Sequence, residues 1–191
     1  MMQEHTLFPV RVWTDKLWLD TDRLETVVRD FSGKNFYDEE FIDTIQQSIP
    51  EPFSNSSNAY KRYDGEYDIQ SWVNITPKGG SIKQHINATN SFSVTNVLLS
   101  GIYHVKAPEN SGQIIFHDPK GTWFCMVGDY NSYPPKEPNC LTPIDNMLIL
   151  FPSWLEHEVG VNDSDEDRIT ISFNLVRKKD VERYQEILNF S

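Results

Sequence analysis

From residue 69 onward the chain changes character, and that change limits its fold more than any other feature. Short runs rich in β-branched and aromatic residues lie at 69–75, 96–105, 113–116, 147–151 and 168–176. Pro77, Gly79, Gly80, Pro108, Gly112 and Pro119 punctuate them. Several short strands at this rhythm pack as a sandwich or a barrel. The 191 residues suffice for one substantial core. Aromatics make up 13% of the chain, five of them Trp, and such rings fill a barrel core while keeping a polar handle satisfied.

The first third reads differently. Residues 6–13, TLFPVRVW, alternate weakly, and Pro9 suits an edge strand or a strand entrance. Residues 20–49 read as two helical pieces. Asp20 or Thr21 can cap the first, whose apolar positions Leu24, Val27, Val28 and Phe31 keep helical spacing up to Gly33. The second carries Phe41, Ile42 and Ile45 on one side and closes at Pro50. Residues 50–68 form a long polar loop without period, and residues 119–143 a long insertion, a hairpin plus an irregular lid. Residues 178–190 form a short closing helix. No repeat or linker divides the chain, so it reads as a single domain over 1–191, with its β core at about 69–177.

The formal net charge of −11 argues against broad attraction to phosphate backbones, and there is no strong nucleic-acid signature. No apolar run approaches eighteen residues, so no membrane span is expected. The N-terminus lacks a basic segment followed by a long apolar stretch, so no secretory signal is expected either. Cys125 and Cys140 lack metal-type spacing, and the chain reads as a reduced, cytoplasmic protein with two incidental thiols.

Five histidines are present, at positions 5, 85, 104, 117 and 157. His157 stands in FPSWLEHEVGVNDSDEDRITISFN, where an apolar strand leads to the imidazole and Arg168 opens the next strand. Period-two geometry puts Arg168, Thr170 and Ser172 on one face of that strand. A neutral imidazole can ligate a divalent ion. A guanidinium is a planar donor fork that matches a carboxylate. Facing one cavity, the two can hold a metal and a dicarboxylic 2-oxo acid between them, with the Thr170 hydroxyl adding a bond to the distal carboxylate.

On these residues the chain resembles the 2-oxoglutarate/Fe(II)-dependent oxygenase superfamily. It resembles more closely a family of small, mostly uncharacterised oxygenases of bacteria and marine phages. LFPVRVW, SWVNITPKGG, LLSGIYHVKAPENSGQIIFHDP, and FPSWLEHEV with RITISFN carry the likeness. It implies a mainly β fold: a double-stranded β-helix, the jelly-roll or cupin-like barrel, with N-terminal helices and a short C-terminal helix. It also implies Fe(II) as metal with 2-oxoglutarate and O2 as cosubstrates, and a host-cytoplasm location if the chain is of phage origin. Carried over by position, His85 is the first metal ligand, His157 the distal one, and Arg168 with Thr170 the carboxylate clamp. The superfamily's first two ligands form a His-x-Asp/Glu motif; here the sequence is His85–Ile86–Asn87. Asn87 offers a carbonyl oxygen without charge, a poorer Fe(II) ligand. Either Asn87 binds weakly or leaves a position open, or Asp118 or His117 completes the site, or the fold has outlived its iron.

Other positions carry lesser expectations. Tyr103 is a candidate for bonding the 2-oxoglutarate carboxylate, with core packing as its alternative. His104 reads as a partly exposed residue on the other side of that strand. Asn74 and Asn174 sit within apolar strands and need partners if they face the interior, which a bound cosubstrate supplies. Trp154 reads as packing, and Asp118 before Pro119 as a turn residue. The acidic run at 163–167 lacks an EF-hand pattern and reads as a solvated loop.

The resulting reading is an oxygenase that couples decarboxylation of 2-oxoglutarate to succinate with oxidation of a C–H bond. Its substrate, a small molecule, peptide or nucleotide, is not specified by the sequence, and a homodimer is left open. The alternative is a non-catalytic β-barrel binding or structural module with a degraded metal site. A cupin-like metalloenzyme without 2-oxoglutarate fits Arg168 and Thr170 less well.

Overall fold

The computed structural model describes residues 10, 12–49, 67–87, 97–117 and 139–177. Helix α1 (Thr21–Val28) starts where the Asp20 carboxylate accepts a hydrogen bond from the Arg23 amide at 3.0 Å. A 3₁₀ turn (Arg29–Phe31) and Gly33, at φ 69°, end this piece. Helix α2 (Glu39–Ser48) is capped in the same way by Asp38, which accepts from the Phe41 amide at 2.9 Å. Asp38 also takes both guanidinium nitrogens of Arg23, at 2.7 and 3.0 Å, and so ties the second helix to the first.

The β part is two antiparallel sheets. The larger holds β1 (Trp13–Lys16), β2 (Asn35–Phe36), β3 (Tyr67–Thr76), β5 (Val97–Lys106), β8 (Met147–Pro152) and β10 (Arg168–Arg177). Their spatial order is β1-β8-β5-β10-β3-β2. The smaller holds β4 (Ile82–His85), β6 (Ile114–Phe116), β7 (Asn139–Leu141) and β9 (His157–Val159), in the order β4-β9-β6-β7. This interleaving of strands between two facing sheets is the double-stranded β-helix.

Alternation along the strands builds two apolar layers. Val73, Tyr103, Ile169, Ile171 and Phe173 face outward from the large sheet and bury Leu24, Val28, Phe41 and Ile45 of the helices. Ile102, Ile149 and Phe151 face inward and meet Ile114, Phe116 and Val159 of the small sheet. At the centre of the large sheet Gly101 pairs with Phe173. A Cβ at Gly101 would lie 2.2 Å from the Phe173 ring, so the ring packs over bare backbone.

The five β runs read from the sequence correspond to β3, β5, β6, β8 and β10. The short strands β2, β4, β7 and β9 are additions, too brief to show a period, and β1 begins at the end of the strand expected at 6–13, most of which lies outside the described residues. The expected closing helix at 178–190, and most of the two long loops, lie outside the described residues. Among the described residues no helix is long and apolar enough to cross a membrane.

Candidate metal and cosubstrate site

His85 ends β4, His157 opens β9, and the two are register partners. Their ring centroids are 4.3 Å apart. Each Nδ1 lies against a backbone carbonyl: His85 on Lys83 at 2.7 Å, His157 on Leu155 at 2.9 Å. A carbonyl only accepts, so each Nδ1 carries a proton, which leaves Nε2 as the nitrogen able to ligate a metal. Both tautomers are thereby fixed in the metal-binding form. His157 is buried against Phe151 and Phe116, at centroid distances of 4.6 and 6.1 Å. Burial pushes its pKa down to about 4, with His85 and His117 adding repulsion, so the ring stays neutral.

Asn87 lies two residues past His85, held by a hydrogen bond from its amide to the Ser153 carbonyl at 3.2 Å. Among the described residues no third His, Cys, Asp or Glu joins the two histidines. His117 does not supply one. It follows Phe116, which faces inward, and its Nε2 sits 3.6 Å from the Glu158 carboxylate on the opposite face of the small sheet. Asp118 lies outside the described residues.

Arg168 is the bulkiest of the fully buried side chains, at 1% exposure. One guanidinium nitrogen donates to the Ser111 carbonyl at 2.8 Å and another to the Thr76 hydroxyl at 3.3 Å. Its Nε has no partner, and no carboxylate among the described residues pairs with it. Burial alone lowers its pKa to about 10. A buried cation without an anion is costly, and such a site suits an added anion. The same inward face carries Thr170, Ser172 and Asn174. Asn74 donates to Ser172 at 2.9 Å, and Ser100 donates to Asn174 at 2.7 Å. Both asparagines thus find protein partners as well as facing the interior.

Tyr103 and His104 exchange the places expected of them. Tyr103 faces the helices, packed on Phe41 with centroids 5.7 Å apart, and its hydroxyl lies 2.5 Å from the Asn146 amide group. It therefore faces away from the side that carries Arg168 and Thr170. His104 is fully buried on the inward face, opposite Thr170. Tyr103 and His104 alternate regularly, and a register shift follows them: Ile169 pairs with Lys106 while Thr170 pairs with His104, leaving Val105 as a bulge. Trp154, expected to pack, is 50% exposed.

The loop before Arg168 is organised by Asn162, a residue without a sequence signal. Its amide donates to the Thr76 and Glu166 carbonyls at 2.9 and 2.8 Å, and its own oxygen accepts from the Ser164 amide at 3.0 Å. The acidic side chains there disperse to separate cations, Asp165 to Lys78, Glu166 to Lys106 and Asp167 to Arg29. At the other end of the barrel a cavity of about 690 Å³ opens beside His85 and Asn87, walled by Gln70, Trp72 and Asn174 among others.

Residues 70–174 match the family described as "Putative 2OG-Fe(II) oxygenase". The chain belongs to that oxygenase family. Its metal is Fe(II), and its cosubstrates are 2-oxoglutarate and O2. The histidine pair, and an Arg168 that no carboxylate among the described residues pairs, suit an iron and a dicarboxylate, respectively. No curated protein matches the chain by sequence. Among solved structures, this oxygenase resembles a Pseudomonas putida prolyl-4-hydroxylase at TM-score 0.63 and 13% identity, over 88% of this chain and 86% of the other. It also resembles the viral collagen prolyl hydroxylase of Paramecium Bursaria Chlorella virus-1, solved with 2OG, at TM-score 0.57 and 14% identity, over 87% and 95%. HygX from Streptomyces hygroscopicus, solved with iron, aligns at TM-score 0.55 and 8% identity, over 88% and 83%. At these identities the likeness is one of fold. The chain spans 47% of the length of a 2OG-Fe(II) family oxidoreductase from Burkholderia pseudomallei.

Proposed function

We propose that this oxygenase is a hydroxylase-type enzyme that oxidises a C–H bond while 2-oxoglutarate is decarboxylated to succinate. When bound at His85 and His157, Fe(II) supplies the oxygen activation that the side chains lack. The chain's own contribution is positional. His85 and His157 present their Nε2 atoms, and Asn87 stands beside them as an uncharged third donor. Arg168 and Thr170 hold the distal carboxylate, which sets the direction of the cosubstrate. Phe116 and Phe151 keep water from the distal histidine. The observation that carries this reading is the fully buried Arg168 guanidinium without a carboxylate partner among the described residues.

The cavity beside His85 and Asn87 is the proposed substrate entrance. Its described wall has amides, a Trp and apolar side chains but no Lys, Arg, Asp or Glu. That supports a substrate recognised by hydrogen bonding and stacking rather than by ion pairing. Asn87 also favours a second reading, a barrel that binds without turnover, because an amide holds Fe(II) less firmly than a carboxylate. The test is succinate formation from 2-oxoglutarate with Fe(II) and O2. The oxygenase reading expects succinate that requires both and disappears in His157→Ala. Cosubstrate binding without succinate would favour the non-catalytic barrel.

A further inference from the structure

The end of the barrel near Arg168 presents a lone pair where the proposed ligand also presents lone pairs. His104 Nδ1 lies 3.1 Å from the Met147 carbonyl, so it carries the proton and Nε2 is an acceptor. That Nε2 is buried and has no hydrogen-bond partner among the described residues. Arg168 Nε and Ser111 Oγ are in the same condition, and Arg168 bonds the Ser111 carbonyl. Three unsatisfied polar atoms at one end of a barrel mark a place shaped for a ligand. The carboxylate proposed to sit there is acceptor-only. Thr170, directly opposite His104, has one hydroxyl proton, which can go to Nε2 or to the carboxylate but not to both.

We propose that His104 is a further cosubstrate-binding residue that takes up a proton as the dicarboxylate enters, so that its Nε2–H donates to the distal carboxylate beside Arg168. This rests on the 2-oxoglutarate reading above. The proton comes from solvent, and no covalent bond changes apart from N–H formation. Two charged groups act on His104: Arg168 from β10 opposes a second cation, and Asp145, in the turn before β8, favours it. In the free protein burial dominates, and the ring stays neutral with its pKa near 4. A carboxylate placed between His104 and Arg168 offsets both the burial and the repulsion, so anion and proton bind together.

The direction of the linkage follows. The His104 pKa is higher in the complex than in the free protein. Cosubstrate affinity therefore rises as pH falls through the pKa of the complex toward about 4. The slope is at most about tenfold per pH unit for one proton.

The experiment is calorimetry of 2-oxoglutarate binding to the Mn(II)-loaded protein with O2 excluded, between about pH 6 and 8, in two buffers of different ionisation enthalpy. The expected result is net uptake of a fraction of a proton that grows as pH falls. His104→Gln, whose amide donates without titrating, should abolish the uptake and retain binding within about tenfold. His104→Leu should lose more than about tenfold in affinity. Mn(II) affinity, unchanged in both variants, reports that they fold. Binding by the wild type without proton uptake, or equal uptake in His104→Gln, overturns the proposal while leaving the oxygenase reading in place. No binding of 2-oxoglutarate by the wild type removes that reading and the proposal together.

Discussion

Replacing Arg168 with Met tests whether this buried cation is kept for the fold or for a ligand. Burial takes the guanidinium down to about 10, a shift that disfavours its charged form by on the order of 3 kcal/mol. Against this stand one good charged hydrogen bond to the Ser111 carbonyl and a longer one to Thr76. The first contributes about 1.5–3 kcal/mol and the second less. Losing the guanidinium also strands the Ser111 carbonyl, at about 1 kcal/mol. These contributions cancel to within about 1–2 kcal/mol, whereas truncating a large core side chain costs about 2–5 kcal/mol. Urea denaturation of the metal-free protein should therefore find Arg168→Met within about 1–2 kcal/mol of wild type. With Mn(II) present, 2-oxoglutarate at a hundred times its Kd should stabilise wild type by about 2.7 kcal/mol. The same concentration should leave the variant unmoved. A loss of about 3 kcal/mol or more in the metal-free variant would refute the reasoning and make Arg168 a structural anchor.

Other perturbations read different parts of the structure. Asn87→Asp should tighten Fe(II) binding in calorimetry, since an anionic oxygen attracts the hard cation more strongly; no gain would point to completion of the site by another group, with Asp118 the first to test. Gly101→Ala should destabilise the fold by about 1–3 kcal/mol in urea melts, because its Cβ meets the Phe173 ring; Phe173→Leu should relieve part of that loss. For pH, His104 is neutral in the fold down to about 4. Its unfolded-state value is near 6.5, so the unfolded chain binds more protons in that window, and stability present above about 6.5 is lost as pH falls toward 4. The His104 contribution, on the order of 3 kcal/mol, should disappear in His104→Gln when metal-free melts are compared at pH 7 and 4.5.

What the sequence made legible was local. The helix cap at Asp20 precedes apolar residues at helical spacing and forms within three residues; the equivalent cap at Asp38 emerged only from the structure. His157 and Arg168 are close in the chain, and Arg168 and Thr170 share a face through simple alternation. What escaped depended on long-range register. Whether Tyr103 or His104 faces inward turns on which side of the large sheet the helices cover, and the Val105 bulge changes the local pairing. The family resemblance implied that His85 and His157 share a site, but their direct strand pairing escaped, because it forms between strands of four and three residues, too short to carry a period. Asn162 in a polar loop looks like its neighbours, and only its bonds to Thr76 and Glu166 reveal how it holds the approach to Arg168.

The central claim is that the histidine pair and Arg168 form one site for a metal and a dicarboxylate. The most direct measurement is the Kd of 2-oxoglutarate with O2 excluded, with and without Mn(II), in wild type and Arg168→Lys. The account predicts binding strengthened by Mn(II), and a loss of about 2–5 kcal/mol in Arg168→Lys, whose ammonium lacks the planar fork, with Mn(II) affinity unchanged. Wild-type protein that binds Mn(II) but shows no 2-oxoglutarate binding at millimolar concentration would contradict it.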